Sequence, residues 1–315
     1  MLKWTSSDIP LQRGRTAIVT GTGGLGFETA LALACAGATV IIAGRNRLKG
    51  EQAVQGIEGL VPGAAISFAE LDLASLDSIK VFAGRMRRSL DSLDILINNA
   101  AVMNPPQREV TRDGFELQFG TNFLGHFALT ALLIPLLRRG KGARVISLSS
   151  IAARQGNIEL SKLQSDAGYQ PMAAYAQSKL ACLMFALELH RRSEAGNWGI
   201  QSVAVHPGIS RTELLPNGAG AWSAAGMARR FLWFLFQPAE QGAWPTLFAA
   251  TSPDAQAGAY YGPNKLGETR GYPAAAKLPP QALDTEMAGL LWSESERLSG
   301  VAFPREELNA SNAAA

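Results

Sequence analysis

Residues 15–46 read RTAIVTGTGGLGFETALALACAGATVIIAGRN, and this stretch decides the fold. It begins with a short β-branched run, continues with the glycine-rich GTGGLG, passes through a segment with helical spacing, and ends in a second apolar run. Continuous apolar runs of this length are typical of parallel strands that are buried on both faces. The stretch therefore predicts a strand, glycine loop, helix and strand, in which the glycines let the backbone approach a pyrophosphate at the helix N-terminus.

The residues that follow the second predicted strand indicate the nucleotide. An acid at this position bonds the ribose 2′-hydroxyl of NAD, whereas an arginine nearby accommodates the 2′-phosphate of NADP. Arg45 and Asn46 occupy this position, and Arg47 and Lys49 follow before the first acid, Glu51. A guanidinium binds phosphate through its bidentate fork, so NADP(H) is favoured over NAD(H). The alternative is that these basic residues only begin a solvated helix.

A tyrosine and a lysine four residues apart supply candidate chemistry. Tyr175 and Lys179 lie in the segment YAQSK, and residues at positions i and i+4 are neighbours on one face of a helix. A solvated phenol has a pKa near ~10, which a nearby cation lowers, so that the phenol can exchange a proton with a carbonyl oxygen. The alternative is an ordinary pair on a helix surface, because this spacing also occurs by chance.

Six segments, YAQSK among them, appear in an order that resembles the short-chain dehydrogenase/reductase family, in the branch related to retinol dehydrogenases and protochlorophyllide reductases. They are LDLASLDS, DILINNAA, GTNFLGHFALT, RVISLSS, YAQSK and VAVHPGISRT. The resemblance extends from about Gly14 to Ala250 and is weaker beyond. It implies an α/β Rossmann fold with a dinucleotide at the carboxyl ends of the strands.

The resemblance also implies roles for individual residues. Tyr175 would be the general acid or base, and Lys179 would lower the pKa of Tyr175 and bond the nicotinamide ribose. Ser150 would hold the substrate oxygen, and Asn122 would hold a water of the proton relay. The residues implied to bind the cofactor, besides Tyr175 and Lys179, are Gly21, Thr22, Gly23, Gly24, Leu25, Gly26, Arg45, Asn46, Asp72, Leu73, Asn99, Ala100, Pro207, Gly208, Ile209 and Thr212.

Two positions depart from the family pattern. The loop GTGGLG is one residue shorter than the family's usual T-G-x-x-x-G-x-G, which leaves open which glycine contacts which phosphate. Ala101 replaces the last glycine of the family's N-N-A-G segment. A methyl group there is tolerable if the backbone angle φ is negative and costly if it is positive.

Composition and length fit a single enzyme domain. With 315 residues and 47% hydrophobic content, the chain can bury a full core. A net charge of +3 is too small to indicate nucleic-acid binding. Cys35 and Cys182 lie in predicted helices, which favours a reducing compartment and a cytoplasmic location. We expect neither a leader peptide, a transmembrane segment nor a metal site.

Strands and helices alternate as far as about residue 251, which predicts a doubly wound parallel sheet. The predicted strands span 16–20, 39–43, 65–69, 94–98, 143–149, 200–206 and 258–261. We expect one domain over residues 1–315. Its cofactor-binding and catalytic core would span about 14–212, and a substrate lid, the last helix and strand, and the tail would span about 213–303.

Substrate recognition is expected in two segments outside these motifs. An insertion of 24 residues separates Ser150 from Tyr175, and an apolar run, FLWFLF, spans residues 231–236. As a lid, this run would line the pocket with aromatic side chains and favour a lipophilic aldehyde, ketone or alcohol. The alternatives are a helix packed on the core, or a membrane-surface patch beside Arg229 and Arg230. Tyr260 and Tyr261 are candidate wall residues.

The sequence thus predicts an NADP(H)-dependent oxidoreductase that acts on a lipophilic carbonyl or alcohol. The alternative is a protein of this fold that binds NADP(H) as a sensor or scaffold without turnover. His206 is expected to be structural, and His126 and His190 lack the spacing of metal ligands. The helices containing 126–137 and 179–190 are apolar enough to predict a homodimer, unless the insertion and tail cover them within one chain.

Overall fold

One sheet organises the computed structural model, which describes residues 3–165, 168–210 and 237–304. Within these residues the strand order is β3-β2-β1-β4-β5-β6-β7-β8. The strands are β1 Thr16–Thr20, β2 Thr39–Gly44, β3 Ile66–Glu70, β4 Ile95–Asn98, β5 Arg144–Leu148, β6 Gln201–Val205, β7 Tyr260–Lys265 and β8 Arg270–Ala275. β1 to β7 pair in parallel, and β8 is antiparallel to β7. The predicted doubly wound α/β fold is confirmed.

The first six predicted strands agree with the structure to within one residue at each end, but the C-terminal sheet edge differs. β7 begins two residues later than predicted and extends to Lys265, and β8 was not predicted. β8 contains Pro273, which pairs with Pro263 of β7. Proline has no N–H group to donate to a strand ladder, so within sheets it is largely confined to edge strands. The sequence of β8 therefore resembles a turn, although it forms the edge strand of the sheet.

Helices cover both faces of the sheet, and three of them begin at residues whose side chains cap them. They are α1 Leu25–Cys35, α2 Arg47–Leu60, α3 Leu76–Ser89, α4 Gly125–Leu137, α5 Pro171–Ala195, α6 Ala239–Thr251 and α7 Thr285–Ser299. Side chains of Asn46, Ser75 and Asp284 cap α2, α3 and α7 by accepting from backbone N–H groups. One core lies between the sheet and α1, α2 and α6, and the other lies between the sheet and α3, α4, α5 and α7.

The chain itself covers the helices that the sequence predicts at a dimer interface. Trp292 of α7 packs 5.1 Å from Phe127 of α4 and 5.8 Å from Phe185 of α5, measured between ring centroids. Phe303 contacts the same rings from the C-terminal side. The segment Phe119–Leu137 is long and apolar enough to cross a membrane, but it is 89% buried in the fold, as a core helix is. The apolar faces therefore have a partner within one chain, so they no longer require a dimer.

Some sequence predictions lie outside the described residues. They concern Thr212, the apolar run 231–236, and the basic pair Arg229 and Arg230.

Candidate active site

The glycine loop between β1 and α1 closes tightly in spite of its short length. Gly21 has a φ of 98°, and a Cβ on Gly26 would lie 2.4 Å from the carbonyl oxygen of Gly21. A Cβ on either glycine would also lie 2.8 Å from Nδ2 of Asn99. Gly24 has a φ of 51°, and α1 begins at Leu25. The loop therefore needs glycine at these positions, and it presents the N-terminus of α1 to the cleft.

Thr22 and Gly23 lie at the open crest of the same loop. Both line the larger of two cavities at the carboxyl edge of the sheet, and a Cβ on Gly23 would meet no atom within 4 Å. Ala101, where the family has glycine, is outside the set of described residues with positive φ. The methyl group at Ala101 therefore causes no backbone strain there.

The two cavities provide space for an extended dinucleotide. Their volumes are about 300 Å³ and about 200 Å³. Both are lined by Gly21, Thr22, Arg45, Lys49, Ala100 and Ala101. The larger cavity also contains Asn99, Tyr175, Lys179 and Pro207, and the smaller contains Asn46, Asp72 and Leu73. The sequence-predicted nicotinamide and adenine ends thus lie on either side of a shared middle, which fits the bound form of such a cofactor.

Of the basic residues at the start of α2, some face the cleft and one faces the solvent. Arg45 and Lys49 line both cavities, whereas Arg47 faces away and pairs with Glu51 at 2.8 Å. Arg45 has no hydrogen bond or ion pair with any described residue. Asn46 uses its side chain to cap α2, accepting from Lys49 N at 3.0 Å. A guanidinium at the cavity wall without a partner among these residues is suited to an anionic ligand group.

Tyr175 is buried at the inner end of the larger cavity, beside Ser150 and Lys179. The Ser150 side chain lies close enough to the phenol to lower its pKa. Lys179 Nζ donates to the Leu148 carbonyl oxygen at 3.0 Å and lies 5.9 Å from the centroid of the Tyr175 ring. Tyr175 and Lys179 follow Ser150 by 25 and 29 positions in the sequence. The three residues lie together in the structure because α5 packs along the end of β5.

The predicted lowering of the Tyr175 pKa is wrong for the polypeptide alone. Burial raises the pKa of Tyr175 to about 12, and the neighbouring Ser150 side chain opposes this shift only in part. Burial also lowers the pKa of the Lys179 ammonium group. Sequence spacing indicates the neighbour of a phenol but not its degree of burial, and here desolvation is the larger effect.

Asn122 lies within a π-helical segment, Phe119–Leu124, that leads into α4. Its amide exchanges two hydrogen bonds with the backbone of Val102, at 2.8 and 2.9 Å. The same amide donates to Ser178 Oγ at 3.0 Å, and Ser178 donates to the carbonyl oxygen of Tyr175. Asn122 therefore connects the loop after β4 to the helix of Tyr175, and its role in a water relay stays a prediction. Irregular helical turns of this kind are frequent at functional sites.

His126 extends this connection to the glycine loop, which the sequence did not indicate. Its Nδ1 lies 2.8 Å from the carbonyl oxygen of Asn122, so Nδ1 must carry the proton. Nε2 then accepts from Thr20 Oγ1 at 2.9 Å. The Thr20 hydroxyl in turn accepts from the backbone N–H groups of Asn99 and Ala100. Burial lowers the pKa of His126 to about 4, so the ring is neutral. The only sequence signal was its i+4 spacing from Asn122.

The loop after β6 closes the nicotinamide end of the cleft. Gly208 has a φ of 65°, and a Cβ there would lie 2.3 Å from the carbonyl oxygen of Thr269. Ile209 N donates to the same oxygen at 2.8 Å. The carbonyl oxygen of Pro207 accepts from Nε2 of Gln237, a buried residue that the sequence did not indicate.

The two candidate wall tyrosines face opposite sides of the sheet. The Tyr260 hydroxyl lies 3.5 Å from the carbonyl oxygen of Ser150, on the side of the active site. Tyr261 packs 5.0 Å from the Phe248 ring in the other core, so it is not a wall residue. The insertion before Tyr175 contains the short 3-10 helices Ile151–Gln155 and Leu160–Lys162.

Comparison with known proteins identifies relatives over nearly the whole chain. The family model described as short chain dehydrogenase matches residues 15–219. The mouse polyprenol dehydrogenase is 39% identical over 300 residues, covering 93% of this chain and 86% of the relative. The mouse retinol dehydrogenase 13 is 41% identical over 297 residues, covering 92% and 85%. An uncharacterised protein from Mycobacterium paratuberculosis has a similar crystal structure, with a TM-score of 0.80, 37% identity and coverage of 96% and 100%.

Proposed function

Starting from the short-chain dehydrogenase family, to which this chain belongs, we propose that the protein transfers a hydride between NADP(H) and the carbonyl or alcohol carbon of a lipophilic small molecule. The family and its dehydrogenase members make it an oxidoreductase that acts on CH–OH and C=O groups with a nicotinamide cofactor. The observation that carries the proposal is the position of Tyr175 beside Lys179 at the wall of the glycine-loop cavity, with the Ser150 side chain next to its phenol.

The proposed chemistry follows from the protonation states of these side chains. Bound nicotinamide supplies or accepts the hydride. Tyr175 is a neutral phenol with a raised pKa, so it can donate its proton to an oxygen that becomes negative during reduction. Ser150 holds that oxygen through its hydroxyl, and the Lys179 ammonium group stabilises the tyrosinate that remains. Asn122 and His126 fix the helix that carries Tyr175 relative to the glycine loop.

A lipophilic substrate is proposed from the alcohols that the relatives are named for. Retinol and polyprenol, the alcohols in their names, are both long apolar molecules with one hydroxyl group. The matches cover more than nine-tenths of this chain, so they include the segments that would form the substrate pocket as well as the cofactor motifs. The buried Tyr260 beside Ser150 adds an aromatic wall at the reacting end.

Arg45 supports the preference for NADP(H), and a charge reversal tests it. Arg45→Asp should weaken NADPH binding by roughly ten- to hundredfold, since a charge-assisted contact is worth about 1.5–3 kcal/mol. Arg47→Asp is the matched control, because it makes the same charge change two residues away on a side chain that faces Glu51. Fluorescence titration with NADPH and NADH measures both affinities. Equal wild-type affinity for the two nucleotides would overturn the preference.

Turnover is tested with a panel of lipophilic aldehydes and ketones, followed by the absorbance of NADPH. Wild type should oxidise NADPH with at least one of them, and Tyr175→Phe should bind NADPH but lose nearly all turnover, because only the phenolic proton is removed. A mutant that keeps more than about a tenth of the rate would exclude Tyr175 as the acid, since such groups contribute ~10²–10⁴-fold. Binding of NADPH without turnover of any panel member would favour the sensor or scaffold alternative.

A further inference from the structure

Glu268 has an unusual backbone conformation at the tip of the β7–β8 hairpin. Its φ is 68°, in the left-handed region that favours glycine, and Leu266 and Gly267 before it are also left-handed. A long side chain with Cβ is disfavoured there. Such conformations persist where the surrounding structure enforces them, and they cluster at functional sites. The side chain of Glu268 should therefore have partners that hold it.

Three donors from three different segments converge on the Glu268 carboxylate. Oε2 accepts from Arg154 Nη2 at 2.5 Å and from His206 Nε2 at 3.0 Å. Oε1 accepts from the backbone N–H of Lys277 at 3.1 Å. Four-fifths of the Glu268 side chain is removed from solvent, and His206 is fully buried. The carboxylate is thus a junction between distant parts of the chain.

The tautomer of His206 is fixed by its other nitrogen. Gly208 N donates to Nδ1 at 3.2 Å, so Nδ1 is unprotonated and the ring proton lies on Nε2, where it faces Glu268. Burial lowers the pKa of His206, which keeps the ring neutral. Burial raises the pKa of Glu268, but hydrogen bonds from His206 and Lys277 N and the charge of Arg154 outweigh it, so the pKa is lowered and the group is a carboxylate.

The segments joined by Glu268 form two walls of the active site. Arg154 belongs to the 3-10 helix Ile151–Gln155, whose N-cap is Ser150. His206 precedes Pro207 and Gly208 in the loop at the nicotinamide end of the cleft. Next to Glu268, Thr269 accepts from Ile209 N in that same loop. One carboxylate therefore fixes the helix that presents Ser150 relative to the loop that closes the cleft.

We propose that Glu268 is a positioning residue: its carboxylate sets the spacing between the Ser150 helix and the 207–209 loop, and with it the affinity for NADPH and the rate of turnover. The effect on the rate of turnover rests on the proposed function, whereas the effect on the affinity for NADPH can be measured without any turnover. No sequence motif includes Glu268, which lies 114 positions from Arg154 and 62 from His206. Its importance is visible only in the folded chain.

Substitution by glycine separates the effect of the Glu268 carboxylate from the effect of its backbone conformation. Glu268→Gly relieves the left-handed backbone but removes the carboxylate, whereas Glu268→Gln keeps an acceptor and removes the charge. Glu294→Gln on α7 is the matched control, because Glu294 pairs with exposed Arg297 away from the cleft. Thermal unfolding followed by circular dichroism verifies that each variant folds. Fluorescence titration then gives the Kd for NADPH, and steady-state kinetics gives kcat and KM separately.

Glu268→Gly should fold and yet bind NADPH about tenfold more weakly, with kcat reduced by a similar factor and the substrate KM changed less. Glu268→Gln should lie between this variant and wild type, and Glu294→Gln should match wild type within about twofold. A folded Glu268→Gly variant with wild-type Kd and kcat would overturn the proposal. If wild type turns over no carbonyl, the proposed function fails, and the Kd for NADPH still decides the role of Glu268.

Discussion

Raising the pH should leave Tyr175 protonated long after an exposed tyrosine has ionised. Burial raises the pKa of Tyr175 to about 12 in the polypeptide alone, whereas a solvated phenol has a pKa near ~10. At pH ~10 the solvated phenol is half ionised, but Tyr175 would be ionised in roughly one molecule in a hundred. Because the folded-state pKa is raised, the associated stability is complete below pH ~10 and is lost as the pH rises towards ~12. The loss is on the order of 3 kcal/mol of unfolding free energy, because each pKa unit corresponds to about 1.4 kcal/mol.

The assay is a pH titration of tyrosinate absorbance in wild type and in Tyr175→Phe, without added cofactor. The four other tyrosines are common to both proteins, so the difference between the curves reports Tyr175 alone. The difference should be flat up to about pH 10. A Tyr175 signal that titrates near neutral pH would refute the reasoning, because it would mean that Lys179 outweighs burial in the protein alone. Saturating NADP⁺ should then move the signal to lower pH, as acid–base catalysis near neutrality requires.

Two further predictions concern the glycine loop and the oligomeric state. Gly26→Ala should lower the unfolding free energy by about 1–3 kcal/mol in urea, because its Cβ would lie 2.4 Å from the Gly21 carbonyl oxygen. Gly23→Ala is the control in the same loop, and since nothing lies within 4 Å of its Cβ, equal losses for the two variants would contradict the loop geometry. Sedimentation velocity at micromolar concentration should give one species near 33.5 kDa, because α7 covers α4 and α5 within the chain. A species of twice that mass would support the homodimer, with an interface on a surface other than the covered faces of α4 and α5.

The parts of the fold that the sequence predicts are those with a local signal. β1, the glycine loop, α1 and β2 follow from one contiguous stretch, because buried parallel strands and glycine turns have distinct local patterns. β8 has no such signal, since Pro273 and Gly271 read as turn residues and only the neighbouring β7 makes it a strand. The packing of Trp292 against α4 could not be predicted from the sequence either. Helical periodicity shows that a helix face is apolar but not which residues pack on it.

The same division applies to the candidate site. Tyr175, Lys179, Arg45 and Gly21 lie where their motifs predict, on the walls of the two cavities. The pKa of Tyr175 could not be read from its spacing to Lys179, because burial is a property of the whole fold and opposes the charge.

The residues that sequence patterns miss share a physical reason for being missed. His126 meets Thr20 across 106 positions, and Glu268 meets Arg154 across 114 positions, so neither pair has a spacing that any local motif could contain. Both pairs join segments that carry motif residues: His126 joins the β1 loop to Asn122, and Glu268 joins the Ser150 helix to the loop of Gly208. Many motif residues lie in loops beyond the ends of different strands, and the hydrogen bonds of the sheet do not extend to these loops to fix the distances between them. Buried polar side chains that bridge these loops can, so the precision of this site depends on contacts that no single motif contains.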